Sequence, residues 1–310
     1  MREIEMEPAA GLPPERVAIG IDIGGSGIKA SAVDVADGKL IGVRLRVATP
    51  DPSTPEACIA SIARLVKRIV KITPAAARAP LGIGVPTVVV DGVTRTAANI
   101  DRGWTDFPAD AAFEAVLRRP VHVVNDADAA GMAEMRFGAG AGRSGSVLVL
   151  TLGTGTGSAL FIDGRLVPNT ELGHMEIRGK HAEWRSAANA RIRRGLSWKA
   201  WAADLDEHLI AIDRILTPSL IILGGGVSKR TDRFLDRLTV PVPVIPAALR
   251  NDAGMVGAAM LAAEYPEEAA GAEADEAAGA DAAAGDAESA PVEPHAAEAR
   301  PEEEPPATGA

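Results

Sequence analysis

Asn125 and Asp126 close an apolar run, Val121 to Val124, and set an amide and a carboxylate at the tip of a strand. A carboxylate so placed can take the proton from a hydroxyl as that hydroxyl attacks phosphorus. Two glycine-rich stretches flank the pair: Ile19-Gly20-Ile21-Asp22-Ile23-Gly24-Gly25-Ser26-Gly27-Ile28-Lys29 and Leu150-Thr151-Leu152-Gly153-Thr154-Gly155-Thr156-Gly157-Ser158. Each reads as strand, tight turn, strand. Turns without a Cβ let backbone N–H groups approach an anion closely, and Ser and Thr hydroxyls add donors. Two such turns across a cleft would hold a chain of phosphates, so the residue types point to phosphoryl transfer. Plainer readings exist for each feature. Either turn alone serves as a hairpin turn, and Asp126 or Asp128 as a helix N-cap, with Asp128 fitting the cap better.

Composition bounds the rest. The 310 residues are 47% hydrophobic, ample for a large core in two lobes. The formal charge of −10 is uneven: residues 264–310 hold 14 acidic residues against one basic, Arg300, which leaves the body at about +3. A mildly basic body suits an anionic substrate. Cys58 is the single cysteine, so neither an intrachain disulfide nor a Cys-rich zinc site can form, and the expected compartment is cytoplasmic. Residues 1–16 lack a signal-peptide pattern, and no apolar run is long enough to span a membrane. Aromatic residues make up 3%, few platforms for base stacking, so nucleic acid is not an expected partner.

Strands are expected at Val17–Ile23, Ile28–Val33 and Leu40–Val47, as antiparallel neighbours. An amphipathic helix over Thr54–Ile72, a strand at Leu81–Val85, a helix over Asp110–Arg118, the strand before Asn125 and a helix over Asp128–Phe137 follow. A second strand pair starts at Ser146. After it come a helix over Ser197–Leu216, a strand at Leu220–Leu223, a Ser228-capped helix over Arg230–Leu238 and a small-residue helix over Asn251–Ala263. The expected fold is α/β, with two similar lobes and an interlobe cleft. Residues 17–126 plus 251–263 form the small lobe and 127–250 the large one. A disordered leader (1–16) and a disordered acidic tail (264–310) complete the chain.

The first glycine stretch resembles the first phosphate motif of the ROK sugar kinases, which have the actin-like ATPase (ribonuclease H-like) fold. Asn125-Asp126 resembles their catalytic pair, and Glu171-Leu172-Gly173-His174 their sugar-binding motif. The run Gly173 to Glu183 is similar to the polyphosphate glucokinase branch. So are Leu196-Ser197-Trp198-Lys199, Gly224 to Lys229, Pro246 to Leu249 and Arg95 to Asp101. The similarity runs in order from about Val17 to Ala263. It implies a kinase that moves a phosphoryl group from polyphosphate, with ATP as an alternative donor, to the 6-hydroxyl of glucose. Asp126 would be the base. Asn99, Asn125, Asp126, Glu171, His174 and Glu183 would bind the sugar. Gly24, Gly25, Ser26, Gly27, Lys29, Thr151, Gly153, Thr154, Gly155, Thr156 and Gly157 would hold phosphates. Gly224, Gly225 and Gly226 would meet a nucleotide, and Asp22 would orient Mg²⁺ through water. A homodimer is also implied. Most ROK kinases follow the motif histidine with a zinc-binding cysteine cluster; this chain has none, so no zinc is expected. Thr87 stands where the branch usually has Gly, which puts the sugar range in question. Arg191, Arg193, Arg194, Lys199, Lys229, Arg230 and Arg233 could track a long polyanion. Two other functions remain open: an ATP-dependent ROK hexose or N-acylhexosamine kinase, and a sugar-binding regulator. Regulators of this family carry a helix-turn-helix module, for which the residues before Val17 leave no room.

Overall fold

The computed structural model describes residues 12–264, so the start of the expected leader and all of the expected tail but Glu264, which ends a helix, lie outside the described residues. Strands β1 (Val17–Gly24), β2 (Gly27–Asp34) and β3 (Lys39–Val47) form an antiparallel meander. Helix α1 (Pro55–Ile72) crosses to β4 (Leu81–Val85). A small sheet of β5 (Val89–Val90), β6 (Val93–Thr94) and β7 (Phe107–Pro108) leads into α2 (Ala109–Leu117), β8 (Val121–Asn125) and α3 (Asp126–Phe137). The first large sheet has the order β3-β2-β1-β4-β8, with β4 and β8 parallel to β1.

The design then repeats. Strands β9 (Ser146–Leu152), β10 (Thr156–Ile162) and β11 (Arg165–Val167) form a second meander. A hairpin, β12 (Glu176–Ile177) and β13 (Lys180–His181), precedes helices α4 (Glu183–Ser186), α5 (Ala188–Arg193) and α6 (Trp198–Leu216). Strands β14 (Leu220–Gly225) and β15 (Val244–Pro246) add in parallel, giving the order β11-β10-β9-β14-β15, and α7 (Ala253–Glu264) ends the described chain. Among the described residues no helix is long and apolar enough to cross a membrane.

Alternation sets the layers, because successive strand residues face opposite sides. On β1, Val17, Ile19, Ile21 and Ile23 join the core with Ile59, Ile62, Leu65 and Ile69 of α1. Its other face carries Ala18, Gly20 and Asp22, and there α7 approaches the sheet. A Cβ on Gly20 or Gly82 would overlap the carbonyl of Met255 or Ala258, and one on Gly257 would overlap the Ala129 carbonyl of α3. On β9, Leu148, Leu150 and Leu152 pack with Trp201, Leu205 and Leu209 of α6, while Val147 and Val149 face Met132 and Met135 of α3. Helices α3 and α7 thus pack together, each against its own sheet.

The structure differs from sequence expectation at three places. Pro14–Arg16, expected in the leader, is a 3-10 turn, and Arg16 Nη2 holds Asp34 Oδ2 at 2.6 Å. Helix α3 begins at Asp126 rather than Asp128, because Asn125 is its cap. The expected helix over Arg230–Leu238 is instead two 3-10 segments, Gly226–Arg233 and Leu235–Arg237. Only Val227 and Ser228 of the first segment are buried, so no apolar stripe holds an α-helix there. Ser228 Oγ donates to the Gly225 carbonyl at 2.8 Å instead of capping a helix.

Candidate active site

The carboxyl ends of β1, β4 and β8 and those of β9 and β14 border one cavity of about 900 Å³. This is where open α/β sheets present ligand crevices.

On one side stands Asp126, the first residue of α3. Asn125 seats it: its Oδ1 accepts from the N–H groups of Ala127 (2.9 Å) and Asp128 (3.0 Å). Its Nδ2 donates to the Thr87 carbonyl at 2.9 Å. The same buried amide borders the cavity, so Asn125 seats Asp126 while standing among the residues expected to meet the sugar. The Thr87 side chain is only 1% exposed and donates to the Val88 carbonyl; Pro86 lines the cavity in its stead. Thr87 therefore has no side chain to offer a ligand.

Glu171 precedes the 3-10 turn Leu172–His174, His174 ends it, and Glu183 opens α4. His174 Nδ1 lies 3.5 Å from Glu171 Oε2, and its Nε2 lies 3.9 Å from Glu183 Oε1. Glu183 is fixed by the Thr156 N–H, which donates to its Oε2 at 2.9 Å. Asn99 completes this polar wall.

One residue that sequence reasoning missed holds the wall together. Asn169, at φ 59°, donates its backbone N–H to Asp128 Oδ2 (2.8 Å). Its side chain accepts from Val89 N (2.9 Å) and donates to Val89 O (2.8 Å). It thereby links α3, the Glu171 loop and the β5 hairpin. Its partner lies 80 positions away, so nothing local announces it.

Burial, then repulsion from Asp22, pushes the Asp126 carboxyl up to about 8, against the lowering effect of the Ala127 N–H. Burial likewise raises Asp128 to about 7 and moves Glu171 upward, with His174 opposing the latter. A carboxylate so raised is a better proton acceptor than an ordinary one.

The opposite wall is made by the two glycine turns. Gly24, Gly25, Ser26 and Lys29 from the first, and Thr151 with Gly153 to Gly157 from the second, all border the cavity. The turns come close together: a Cβ on Gly25 would sit 2.9 Å from Thr154 Oγ1. The Gly153 N–H is spent within its own turn, on the Gly155 carbonyl at 2.9 Å. Gly27 does not border the cavity; it lies beneath the Arg46 guanidinium. Gly225 and Gly226 reach the cavity, whereas Gly224 packs against Thr151 and Ala247.

Lys29 Nζ pairs with Asp22 Oδ2 at 2.6 Å. Asp22 and Asp126 share the cavity, and each oxygen set suits a hard cation such as Mg²⁺. Their mutual repulsion is the kind of charge that a divalent ion offsets, so the residues present fit one at Asp22.

Of the seven basic residues expected to track a polyanion, Arg191 and Arg230 border the cavity. Arg194 pairs with Asp204 at 2.6 Å, Arg193 donates to the Trp184 carbonyl, and Arg233 pairs with Asp232 at 3.2 Å; Lys199 and Lys229 stand off the cavity. Arg46 and Arg250 border it instead. Arg46 is the β3 partner of Lys29, so strand register was the available signal. Arg250 precedes α7, whose position only the fold reveals.

Comparison with known proteins follows the same residues. The ROK family profile matches residues 18–190. The chain is 45% identical over 257 residues to a polyphosphate glucokinase of Mycobacterium tuberculosis (strain CDC 1551 / Oshkosh), covering 83% of this chain and 95% of that one. Among solved structures, the inorganic polyphosphate/ATP-glucomannokinase of Arthrobacter sp. strain KM is 50% identical with a TM-score of 0.78, over 80% of this chain and 98% of that one. A ROK family glucokinase from Streptomyces griseus, in complex with glucose and AMPPNP, is 27% identical with a TM-score of 0.69, over 80% of this chain and 99% of that one.

Proposed function

Because the chain belongs to the ROK family, we propose that it is a glucokinase drawing its phosphoryl group from inorganic polyphosphate. The observation that carries this reading is one cavity bordered by Asp126 and the Glu171–His174–Glu183 wall on one side and by both glycine turns on the other.

The sugar sits against Asn99, Glu171, His174 and Glu183, whose carboxylates accept from hydroxyls and whose imidazole can accept or donate. Its 6-hydroxyl oxygen attacks the terminal phosphorus while Asp126 takes the proton. The bond from that phosphorus to its bridging oxygen breaks, and the polyphosphate leaves one unit shorter. Free N–H groups of the two turns, with Ser26 and Thr154, hold the terminal phosphates, and Lys29 offsets their charge. Mg²⁺ would be held at Asp22 and would supply charge neutralisation on the donor. Two lobes, residues 17–126 with 251–263 and residues 127–250, close to exclude water. ATP is a second donor on this reading, supported by Gly225 and Gly226 at the cavity wall. A cytoplasmic homodimer is the assembly implied by the family, with neither nucleic acid nor membrane as partner.

Phosphorus NMR of glucose, Mg²⁺ and nucleotide-free polyphosphate with the protein tests this. A glucose 6-phosphate signal is expected; its absence, with product from another hexose, would overturn the acceptor assignment.

Two further outcomes follow from the walls of the cavity. Asn169→Ala loses both Val89 bonds, and net losses of about 0.5–1.5 kcal/mol each raise the glucose KM roughly tenfold while sparing the polyphosphate KM. Asn169→Gly, which keeps the backbone freedom for φ 59°, behaves alike if the side chain is what matters. Arg230→Gln and Arg250→Gln raise the polyphosphate KM at low salt and leave the glucose KM unchanged. Added salt shrinks the difference, since exposed charges are screened. Initial-rate kinetics at two ionic strengths read both.

A further inference from the structure

We propose that Arg46 binds the donor, holding a phosphate of the part that leaves, and that Gly27 is a glycine in order to seat it. The donor role rests on the proposed phosphate site between the two glycine turns. Arg46 lies on β3 directly across from Lys29 of β2, and both border the cavity, so two cations stand side by side at its wall. Lys29 is neutralised by Asp22 at 2.6 Å. Arg44, two residues earlier on the same strand, is neutralised by Asp252 at 2.7 Å. Among the described residues no carboxylate pairs with Arg46, and the one hydrogen bond of its guanidinium runs from Nη2 to the Ser26 carbonyl, at 2.8 Å. Like charges directly opposite on neighbouring strands cost stability, and an anion held between them offsets that cost.

Gly27 stands in β2 with φ outside the left-handed region, and it does not border the cavity. Neither backbone freedom nor phosphate contact therefore calls for a glycine there. A Cβ would lie 2.6 Å from Arg46 Nη2 and 2.7 Å from its Nε and Cζ. The missing side chain is the seat of the guanidinium. From that seat one N–H occupies the Ser26 carbonyl, an oxygen that would otherwise repel a phosphate. The other N–H groups are left for phosphate oxygens, which the planar fork matches in pairs. Sheet order decides which phosphate is met. β3 and β8 are the two edges of the first sheet, four strand spacings apart, or about 19 Å. Asp126 follows β8, so the reacting phosphorus lies toward that edge and Arg46 meets the chain that departs.

Calorimetry of the full chain with inorganic polyphosphate and Mg²⁺, with no acceptor present, tests this apart from catalysis. Arg46→Gln is expected to weaken binding about tenfold or more at low salt, the worth of a charge-assisted hydrogen bond. Added salt shrinks that ratio, because a contact between ions is screened and a bond to the neutral Ser26 carbonyl is not. Gly27→Ala, with Arg46 intact, is expected to weaken binding to a similar degree, since the flexible guanidinium moves aside and the backbone stays. In the double variant the alanine adds nothing to the loss from Arg46→Gln. Arg46→Gln binding as tightly as the wild type overturns the donor role. So does a ratio that is the same at low and high salt, which leaves Arg46 only a brace of the turn. A Gly27→Ala loss that persists in the Arg46→Gln background overturns the seat. If the wild type itself binds no polyphosphate, the proposed donor falls, and this role with it.

Discussion

Asp126→Asn is expected to lower kcat by about 10²–10⁴-fold while leaving the protein folded and more stable. The amide keeps the size of the carboxylate but cannot take a proton, so the loss falls on the chemical step and the glucose KM changes little. Stability moves the other way. The folded Asp126 carboxyl is raised from 3.8 to about 8, so the folded protein holds a proton that the unfolded chain releases earlier. Ionisation therefore opposes folding as pH rises above about 4, and the cost stops growing above about 8. The neutral asparagine escapes that cost. Thermal melts of both proteins should nearly coincide near pH 4 and diverge toward pH 8, with the variant higher by on the order of 1 kcal/mol or more. The wild-type kcat/KM for glucose rises with pH over the same window, because only the ionised carboxyl accepts the proton. A cation at Asp22 removes part of the repulsion and shifts that rise to lower pH.

Gly257→Val is expected to cost more than about 3 kcal/mol, because its Cβ would overlap the Ala129 carbonyl where α7 crosses α3. Backbone cannot swing aside as a flexible side chain can. The two helices must separate, and they carry opposite parts of the site: α3 begins at Asp126, and Gly254 of α7 lies against Asp22. Activity should fall along with a melting temperature about 6–12 °C lower. Gly153→Ala is the control, since nothing lies within 4 Å of its added Cβ. A control that melts as low as Gly257→Val would remove the crossing as the cause.

Much of this architecture is legible where information is local. The alternation in β1 and the stripe in α1 each announce one buried face, and both elements fall within two residues of expectation. The paired meanders follow from two strand–turn–strand signals. Partnerships between distant segments are less visible. Asn125 reads as a ligand, but its bonds to Ala127, Asp128 and Thr87 show only in the fold. Arg194 reads as a free cation until Asp204 is found beside it. Asn169 carries no motif, because its role exists only once β5 has folded against it. The segment after Gly226 fails as a helix for the converse reason: its polar run looks solvated and helical, but no apolar stripe anchors it.

The most direct test of the central claim is the initial rate of glucose 6-phosphate formation from glucose and Mg²⁺. Nucleotide-free polyphosphate is the donor in one arm and ATP in the other. Faster turnover with polyphosphate is the predicted result. Turnover with ATP alone would contradict it, leaving a sugar kinase on the same fold with a different donor.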